Sequence, residues 1–261
     1  VIGLAGWPKD DVVGIPLHDP IYRISHFESY RGMEGIIYKD ARLLIHTFMA
    51  PDETIKDLLP VELSPGGLNL IVALVAEYPM TSLGPYKEAA LFVTAQFKDT
   101  VGMHCPYMYI DELYGDHSLG ADLALVLGRE GLGFPKTLAQ IDLTIEGTRH
   151  IGSVRRKGAE IMRIEAEIDE AGDFPDMGTM INVRSFPRPD MNGYSYRDIC
   201  CTDLEYKPSI SRAGEGKVLF PASHAALRGV QVEEDLASFY TVTDFCIPRG
   251  ETLAILEGGG K

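Results

Sequence analysis

Alternation of apolar and polar positions dominates this chain. In residues 89–97, 141–145 and 164–168, apolar side chains alternate with polar or small ones, which is the period of a strand with one buried face. Arg155-Arg156-Lys157-Gly158 falls between Ile151-Gly152-Ser153-Val154 and Ile161, where a hairpin turn belongs, so residues 142–169 predict a β-meander. Residues 123–127, apolar at successive positions, and residues 239–247, rich in apolar and β-branched ones, predict strands covered on both faces or lining a closed barrel. Helical spacing is scarce. Residues 52–59 carry it best, with Asp52 as a cap, Ile55, Leu58 and Leu59 on one face and Pro60 as the stop. Residues 224–229 and 233–239 predict short helical turns. No repeat, low-complexity tract or linker divides the chain. Its 27 glycines and 16 prolines are spread throughout and point to many tight turns. The pattern therefore predicts one mainly β domain over residues 1–261, of β-rich α+β class, built around a barrel with a few short peripheral helices.

Composition narrows the partners more than the fold. With 261 residues and 45% hydrophobic content, the chain is long enough to bury a substantial core. Its 24 basic and 38 acidic side chains give a net charge of −14, which repels nucleic-acid backbones and anionic membrane surfaces. A small anionic substrate stays compatible, because a local cation in a cleft outweighs distant, screened carboxylates. The longest apolar stretch, around residues 70–76, is too short to span a bilayer. The first residues lack a charged region followed by an apolar core and a cleavage site. A cytoplasmic protein is the expectation. Cys105, Cys200, Cys201 and Cys246 are too few for a disulfide framework, and the adjacent pair cannot readily bridge without strain, so free thiols are expected.

The sharpest chemical signal is Lys136. It ends the segment Leu127-Gly128-Arg129-Glu130-Gly131-Leu132-Gly133-Phe134-Pro135-Lys136, a turn shaped by glycine and proline and otherwise largely apolar. An amine held among Leu132, Phe134, Pro135 and Leu138 loses hydration, which disfavours its ammonium form and draws its pKa below the ordinary value of about 10.4. A neutral amine is a nucleophile toward ketones. The same segment taken alone also suits a solvated lysine after a proline turn, and its neighbours in the chain choose between the two.

Those neighbours come in a particular order. Gly84-Pro85-Tyr86-Lys87-Glu88 precedes a strand, Met108-Tyr109-Ile110-Asp111 precedes a second apolar run, and the Gly128-to-Lys136 segment follows. Met180-Ile181-Asn182-Val183-Arg184-Ser185-Phe186-Pro187 and Tyr240-Thr241-Val242-Thr243-Asp244-Phe245-Cys246-Ile247-Pro248-Arg249 come later, and residues 52–63 form a short helix closed by a proline. In this order the motifs resemble the acetoacetate decarboxylase family, from about residue 40 to about residue 250. The resemblance implies a conical antiparallel barrel with peripheral helices and a homo-oligomer. It also implies a lysine that forms a Schiff base with an oxo-acid substrate, the iminium then serving as electron sink for loss of carbon dioxide.

Carried over by position, Lys136 matches the Schiff-base lysine and Glu88 the active-site glutamate that orients substrate and relays a proton. Glu88 would otherwise be a strand-end carboxylate facing water. The family's second pocket glutamate falls on Ala73 in the gapless register. Arg42 is the nearest candidate for the arginine that binds the substrate carboxylate, one residue out of register; one residue turns a strand side chain to the other face. Arg129 and Glu130 match an Arg-Glu pair before the lysine loop, Arg129 as a substrate-side cation and Glu130 as part of a structural ion pair. Phe134 is expected beside the substrate. Better-known members carry a second lysine directly before the nucleophile, where this chain has Pro135. Burial by Leu132 and Phe134, aided by Arg129, must then activate the amine.

Other constellations are less specific. Asp111, Glu112, Asp116 and His117 cluster in sequence without a metal-ligand spacing, as an acidic solvated loop does. His104 beside Cys105 has no orienting partner and reads as a packed strand pair. Gly128, Gly131 and Gly133 do not form a dinucleotide fingerprint, and no phosphate-binding Gly-Lys-Ser/Thr loop exists. No metal or cofactor is implied. Three functions stay open: a cofactor-independent decarboxylase of acetoacetate or a related 3-oxo acid, a Schiff-base aldolase or dehydratase acting on a 2-oxo acid, and a small-molecule-binding barrel without turnover.

Overall fold

The computed structural model describes residues 34–114, 120–221, 227 and 229–257. Asp116, His117 and, of the turn expected at 224–229, residues 224–226 and 228 lie outside these residues. The elements are β1 (Gly35–Met49), α1 (Asp52–Leu58), β2 (Ser64–Pro65), β3 (Leu70–Tyr78), β4 (Met80–Thr81), β5 (Tyr86–Phe97) and β6 (Thr100–Asp111). Next come α2 (Gly120–Val126), a π-helical turn (Leu127–Gly131), β7 (Lys136–Leu138), β8 (Gln140–Glu146), β9 (Arg149–Arg156) and β10 (Ala159–Ala171). The chain ends with β11 (Thr179–Pro187), β12 (Tyr194–Asp203), β13 (Glu205–Leu219), β14 (Glu234–Pro248) and β15 (Glu251–Glu257).

All the strands join one sheet, whose main path runs β15-β12-β11-β6-β5-β3-β1-β14-β13-β10-β9-β8. The mainly β class holds, but the expected barrel does not. The two end strands, β15 and β8, do not pair with each other, so the sheet is open. It curls back through side-chain packing instead: the missing side chain at Gly152 on β9 lets Val75 on β3 approach to 2.8 Å of where a Cβ would stand. The pairing is antiparallel along most of the path, with β6 meeting both β7 and β11 in parallel.

The central strands separate two cores. Leu43, Ile45, Leu74, Ala76, Ala90 and Phe92 face one. Leu44, Ala73, Val75, Ala89 and Leu91 face the other, together with Ile55 and Leu58 of α1. This explains the near-continuous apolar runs of β3 and β5, and it corrects the half-buried reading of residues 89–97: most of β5 is covered on both sides. The meander expected at 142–169 is present as β8, β9 and β10. Its second hairpin turns on Lys157 and Gly158, both at positive φ (51° and 80°), which match the right-handed twist of the flanking strands.

Three local readings change. Residues 123–127 belong to α2 and the π-helical turn, not to a strand: Leu123 and Ala124 pack into the first core while Asp122 faces solvent. Residues 234–239 begin β14, because their partners on β1 and β13 capture the backbone. Asp52 does not cap α1; Pro51 holds that position, and Asp52 Oδ1 accepts a 2.5 Å hydrogen bond from Asn69 Nδ2.

Buried histidines couple the fold to pH. His104 on β6 donates from Nδ1 to the Ile181 carbonyl at 3.0 Å, and burial lowers its pKa to about 4 against the opposing pull of that carbonyl and of Asn182. The unfolded chain, with an imidazole near 6.5, therefore binds more protons than the folded one between those two values. Stability falls as pH drops through that window and levels off below about 4. Integrated between those pKa values, His104 alone removes about 1.5 kcal/mol between pH 6.5 and 5. Urea titrations of the wild type and of His104→Gln at the two pH values test this; equal slopes would contradict it.

Candidate active site

Lys136 and Glu88, 48 positions apart, meet inside the first core. Lys136 opens β7, which lies parallel to β6 with Met108 opposite it, and Glu88 stands on β5 across β6. Along one edge of β6, the partner is β11 at Met103 and β7 at Met108 to Ile110. The cavity includes side chains from each of these strands. Lys136 Nζ donates to Glu88 Oε2 at 2.7 Å, and the two side chains are only 6% and 8% exposed. A charge pair this dry needs good geometry and further hydrogen bonds to offset its desolvation. Tyr78 supplies one, its hydroxyl donating to Glu88 Oε1 at 3.1 Å.

The loop geometry explains how the lysine reaches its partner. The π-helical turn ends with the Phe134 N–H donating to the Gly128 carbonyl at 2.9 Å, and the Lys136 N–H donates back to the Phe134 carbonyl at 2.8 Å. That last bond closes a three-residue turn centred on Pro135, whose fixed φ suits it. Gly133 sits at φ 72°, a conformation that glycine takes without strain. At Gly128 a Cβ would lie 2.4 Å from Lys136 Cε and 2.6 Å from Cδ, so the lysine stem lies across a bare backbone.

Apolar and aromatic groups surround the pair. The cavity of about 30 Å³ is lined by Leu43, Leu74, Phe92, Phe134, Phe245 and Ile247, by Met108, Met177 and Met180, and by Leu204, Tyr78 and Tyr206 beside Glu88 and Lys136. By the measure of roughly 10–15 Å³ per water, it holds about two water molecules, so admitting a substrate requires side chains to move. The three methionines are the adaptable ones. The Phe134 and Tyr86 rings lie 6.0 and 5.3 Å from Nζ. Tyr38 stacks on Phe245 at 4.0 Å and shares a 2.8 Å hydroxyl hydrogen bond with Tyr86. Burial raises the pKa of Tyr38, Tyr78, Tyr86 and Tyr206, with the nearby Glu88 charge adding to it, so all four remain neutral phenols.

Not every residue expected at the site is there. Phe134 is. Arg42 is on the opposite face of β1, half exposed and paired with Glu77 at 3.2 Å, while its neighbour Leu43 lines the cavity. Arg129 and Glu130 are exposed on the π-helical turn and do not line it. Ala73, where the gapless register puts the family's second pocket glutamate, faces the second core, and its neighbour Leu74 shares the cavity with Glu88. Tyr78, Tyr206 and the methionines were not singled out. The parity of β3 against β5 would have found Tyr78, since Tyr78 and Glu88 stand an even number of positions apart in antiparallel register.

Two other groupings serve structure. Cys105 is buried, with its thiol pKa raised by desolvation first and by Glu88 next, and Sγ donates to the Tyr107 carbonyl. Ser238, His46 and Asp235 form a hydrogen-bonded line of 2.9 and 2.8 Å, but the serine is fully buried outside the cavity and the line joins β14 to β1. Among the described residues, no three His, Cys, Asp or Glu side chains gather as metal ligands, and no helix is long and apolar enough to cross a membrane.

Fold and site define an open-sheet β protein with a buried amine–carboxylate pair in an apolar cavity. The family described as acetoacetate decarboxylase (ADC) matches residues 22–255. The chain belongs to the acetoacetate decarboxylase family. Among curated proteins it is similar to a CLA biosynthesis isomerase of Lactiplantibacillus plantarum, 31% identical over 142 residues. That match covers 52% of this chain and 49% of the relative, so the chain spans about half the length of the curated relative it matches. Its fold is that of acetoacetate decarboxylase from Legionella pneumophila subsp. pneumophila str. Philadelphia 1, at TM-score 0.74 and 16% identity over 85% of this chain and 88% of that one. It is also that of the enduracididine biosynthesis enzyme MppR complexed with pyruvate, at TM-score 0.69 and 15% identity over 84% and 90%.

Proposed function

We propose that this protein is a Schiff-base enzyme that decarboxylates acetoacetate or a related 3-oxo acid through Lys136. The single observation that carries the reading is the 2.7 Å contact between Lys136 Nζ and Glu88 Oε2 in an apolar cavity. Glu88 is placed to accept the ammonium proton, leaving a neutral amine to attack the ketone carbon. Glu88 returns that proton to the departing hydroxyl, and loss of water leaves a protonated imine. The bond to the carboxylate then breaks, carbon dioxide leaves, and the bonding pair moves into the iminium to form an enamine. Glu88, reprotonated from solvent, delivers a proton to the enamine carbon, and hydrolysis frees the ketone and the amine. The apolar walls favour the bond-breaking step, because a carboxylate stripped of water is less stable than the neutral carbon dioxide it becomes.

A second reading is an isomerisation at the same pair. Among the described residues no arginine lines the cavity to hold a substrate carboxylate, and a curated relative is an isomerase. In that reaction Glu88 would remove a proton from a carbon beside the carbonyl and return it to another carbon, without cleaving a carbon–carbon bond. One experiment separates these readings from a binding protein without turnover. Borohydride reduction in the presence of acetoacetate is expected to fix the imine and add the mass of the reduced adduct to the peptide carrying Lys136. An unmodified lysine would refute the imine mechanism; adduct without release of carbon dioxide would favour isomerisation.

A further inference from the structure

The loop that presents Lys136 is tied to the neighbouring strands β11 and β12 by polar groups that the chemistry above does not use. Asn182 on β11 donates from Nδ2 to the Leu132 carbonyl at 3.2 Å, and its Oδ1 accepts the Cys105 N–H of β6 at 3.2 Å. Cys200 Sγ on β12 donates to the same Leu132 carbonyl at 3.3 Å. Two residues beyond Asn182, Arg184 donates from one terminal nitrogen to the Glu130 and Gly131 carbonyls at 3.3 and 3.4 Å. These carbonyls lie at the end of the π-helical turn, where the helical ladder leaves them without the usual partners.

Arg184 is itself held rigidly. Its Nε and other terminal nitrogen grip both oxygens of Asp198 at 3.0 and 2.5 Å, a two-pronged geometry that fixes the guanidinium plane. Asp198 has no exposed surface and also accepts from the Tyr196 hydroxyl at 2.9 Å and the Thr252 hydroxyl at 3.2 Å. Burial alone would raise its pKa; the hydrogen bonds from Arg184 and Tyr196 outweigh this and hold the carboxyl below its usual range. The link from Thr252 on β15 and Asp198 on β12 through Arg184 to the turn is thus continuous, and Gly133 rests within 3.1 Å of the Asn182 Cβ as a Cβ would measure it.

We infer that Arg184, braced by Asp198 and assisted by Asn182, is a positioning residue that fixes the Lys136 loop so that the amine stays in reach of Glu88 and of a substrate carbonyl. This rests on the Schiff-base reading for its catalytic consequence, while the fixing of the loop stands by itself. A lysine at 184 would keep the charge and lose the fork that reaches Asp198 and two carbonyls together.

The test uses the full chain and two variants. Arg184→Lys removes the fork. Arg184→Met with Asp198→Asn removes both charges, so that neither partner is left buried alone if the single variant fails to fold. Hydrogen–deuterium exchange of the amides in residues 127–138 is expected to quicken about tenfold in each folded variant, as a loosened segment opens more often. The rate of borohydride trapping with saturating acetoacetate is expected to fall by about tenfold, while the acetoacetate concentration for half-maximal trapping changes less than about twofold. Unchanged exchange in the double variant would overturn the clamp. Faster exchange with an unchanged trapping rate would overturn its positioning role. If the wild type itself gives no adduct, the Schiff-base reading and the positioning role fail together, and exchange still decides whether Arg184 holds the loop.

Discussion

Lys136→Ala is expected to reduce turnover of a 3-oxo acid to background, a loss on the order of 10⁴-fold or more, because no other nucleophile lines the described cavity. The change also leaves Glu88 without its cation. Breaking one side of a buried pair typically costs about 3–5 kcal/mol, so the variant should melt earlier while keeping its secondary structure. Lys136→Met combined with Glu88→Gln separates the two effects: it fills the same space, removes both charges and should recover most of the lost stability with none of the lost activity. Turnover and thermal unfolding of the three proteins give the answer. Activity within tenfold of the wild type in Lys136→Ala would remove the lysine from the mechanism.

Glu88→Gln tests the other half of the pair. The amide keeps the shape of the carboxylate and can still accept from Tyr78, but it can neither take the ammonium proton nor return one to carbon. Loss of a positioned acid–base group costs about 10²–10⁴-fold, and turnover should fall in that range. The reduced imine should still be detectable after long incubation, since bond formation to nitrogen needs the lysine and proton transfer needs the glutamate. A full rate in Glu88→Gln would show that solvent or another group moves the proton. Loss of the adduct together with turnover would show that Glu88 is needed already for imine formation, by activating the amine.

The pairing of Lys136 with Glu88 was more legible in the sequence than the architecture around it. Lys136 and Glu88 each sit in a short motif whose local composition is distinctive, and their meeting across β5, β6 and β7 follows from the order of those motifs. Facing was harder to read. Arg42 and Ala73 were placed by counting along strands, where a shift of one residue exchanges cavity for the opposite face; it is their neighbours Leu43 and Leu74 that line the cavity. Residues 123–127 failed for a different reason: five successive apolar positions fit a buried helix as well as a buried strand, and packing against the first core decided for the helix. The barrel failed because closure depends on whether β8 and β15 meet, which no local pattern records. The Arg184–Asp198 link was silent as well, since its members come from separate strands and only register brings them together.

The bare α-carbon at Gly128 carries a consequence for descent. Lys136 crosses it so closely that any side chain there would stand in the path of the amine's methylenes. Every amino acid one base change away from a glycine codon brings a Cβ, so the position has no neutral neighbour through which to drift while the lysine keeps this path. A lineage in which the residue at 136 no longer takes this path is released from that restriction, and a residue other than glycine at 128 would mark a changed course of the side chain at 136.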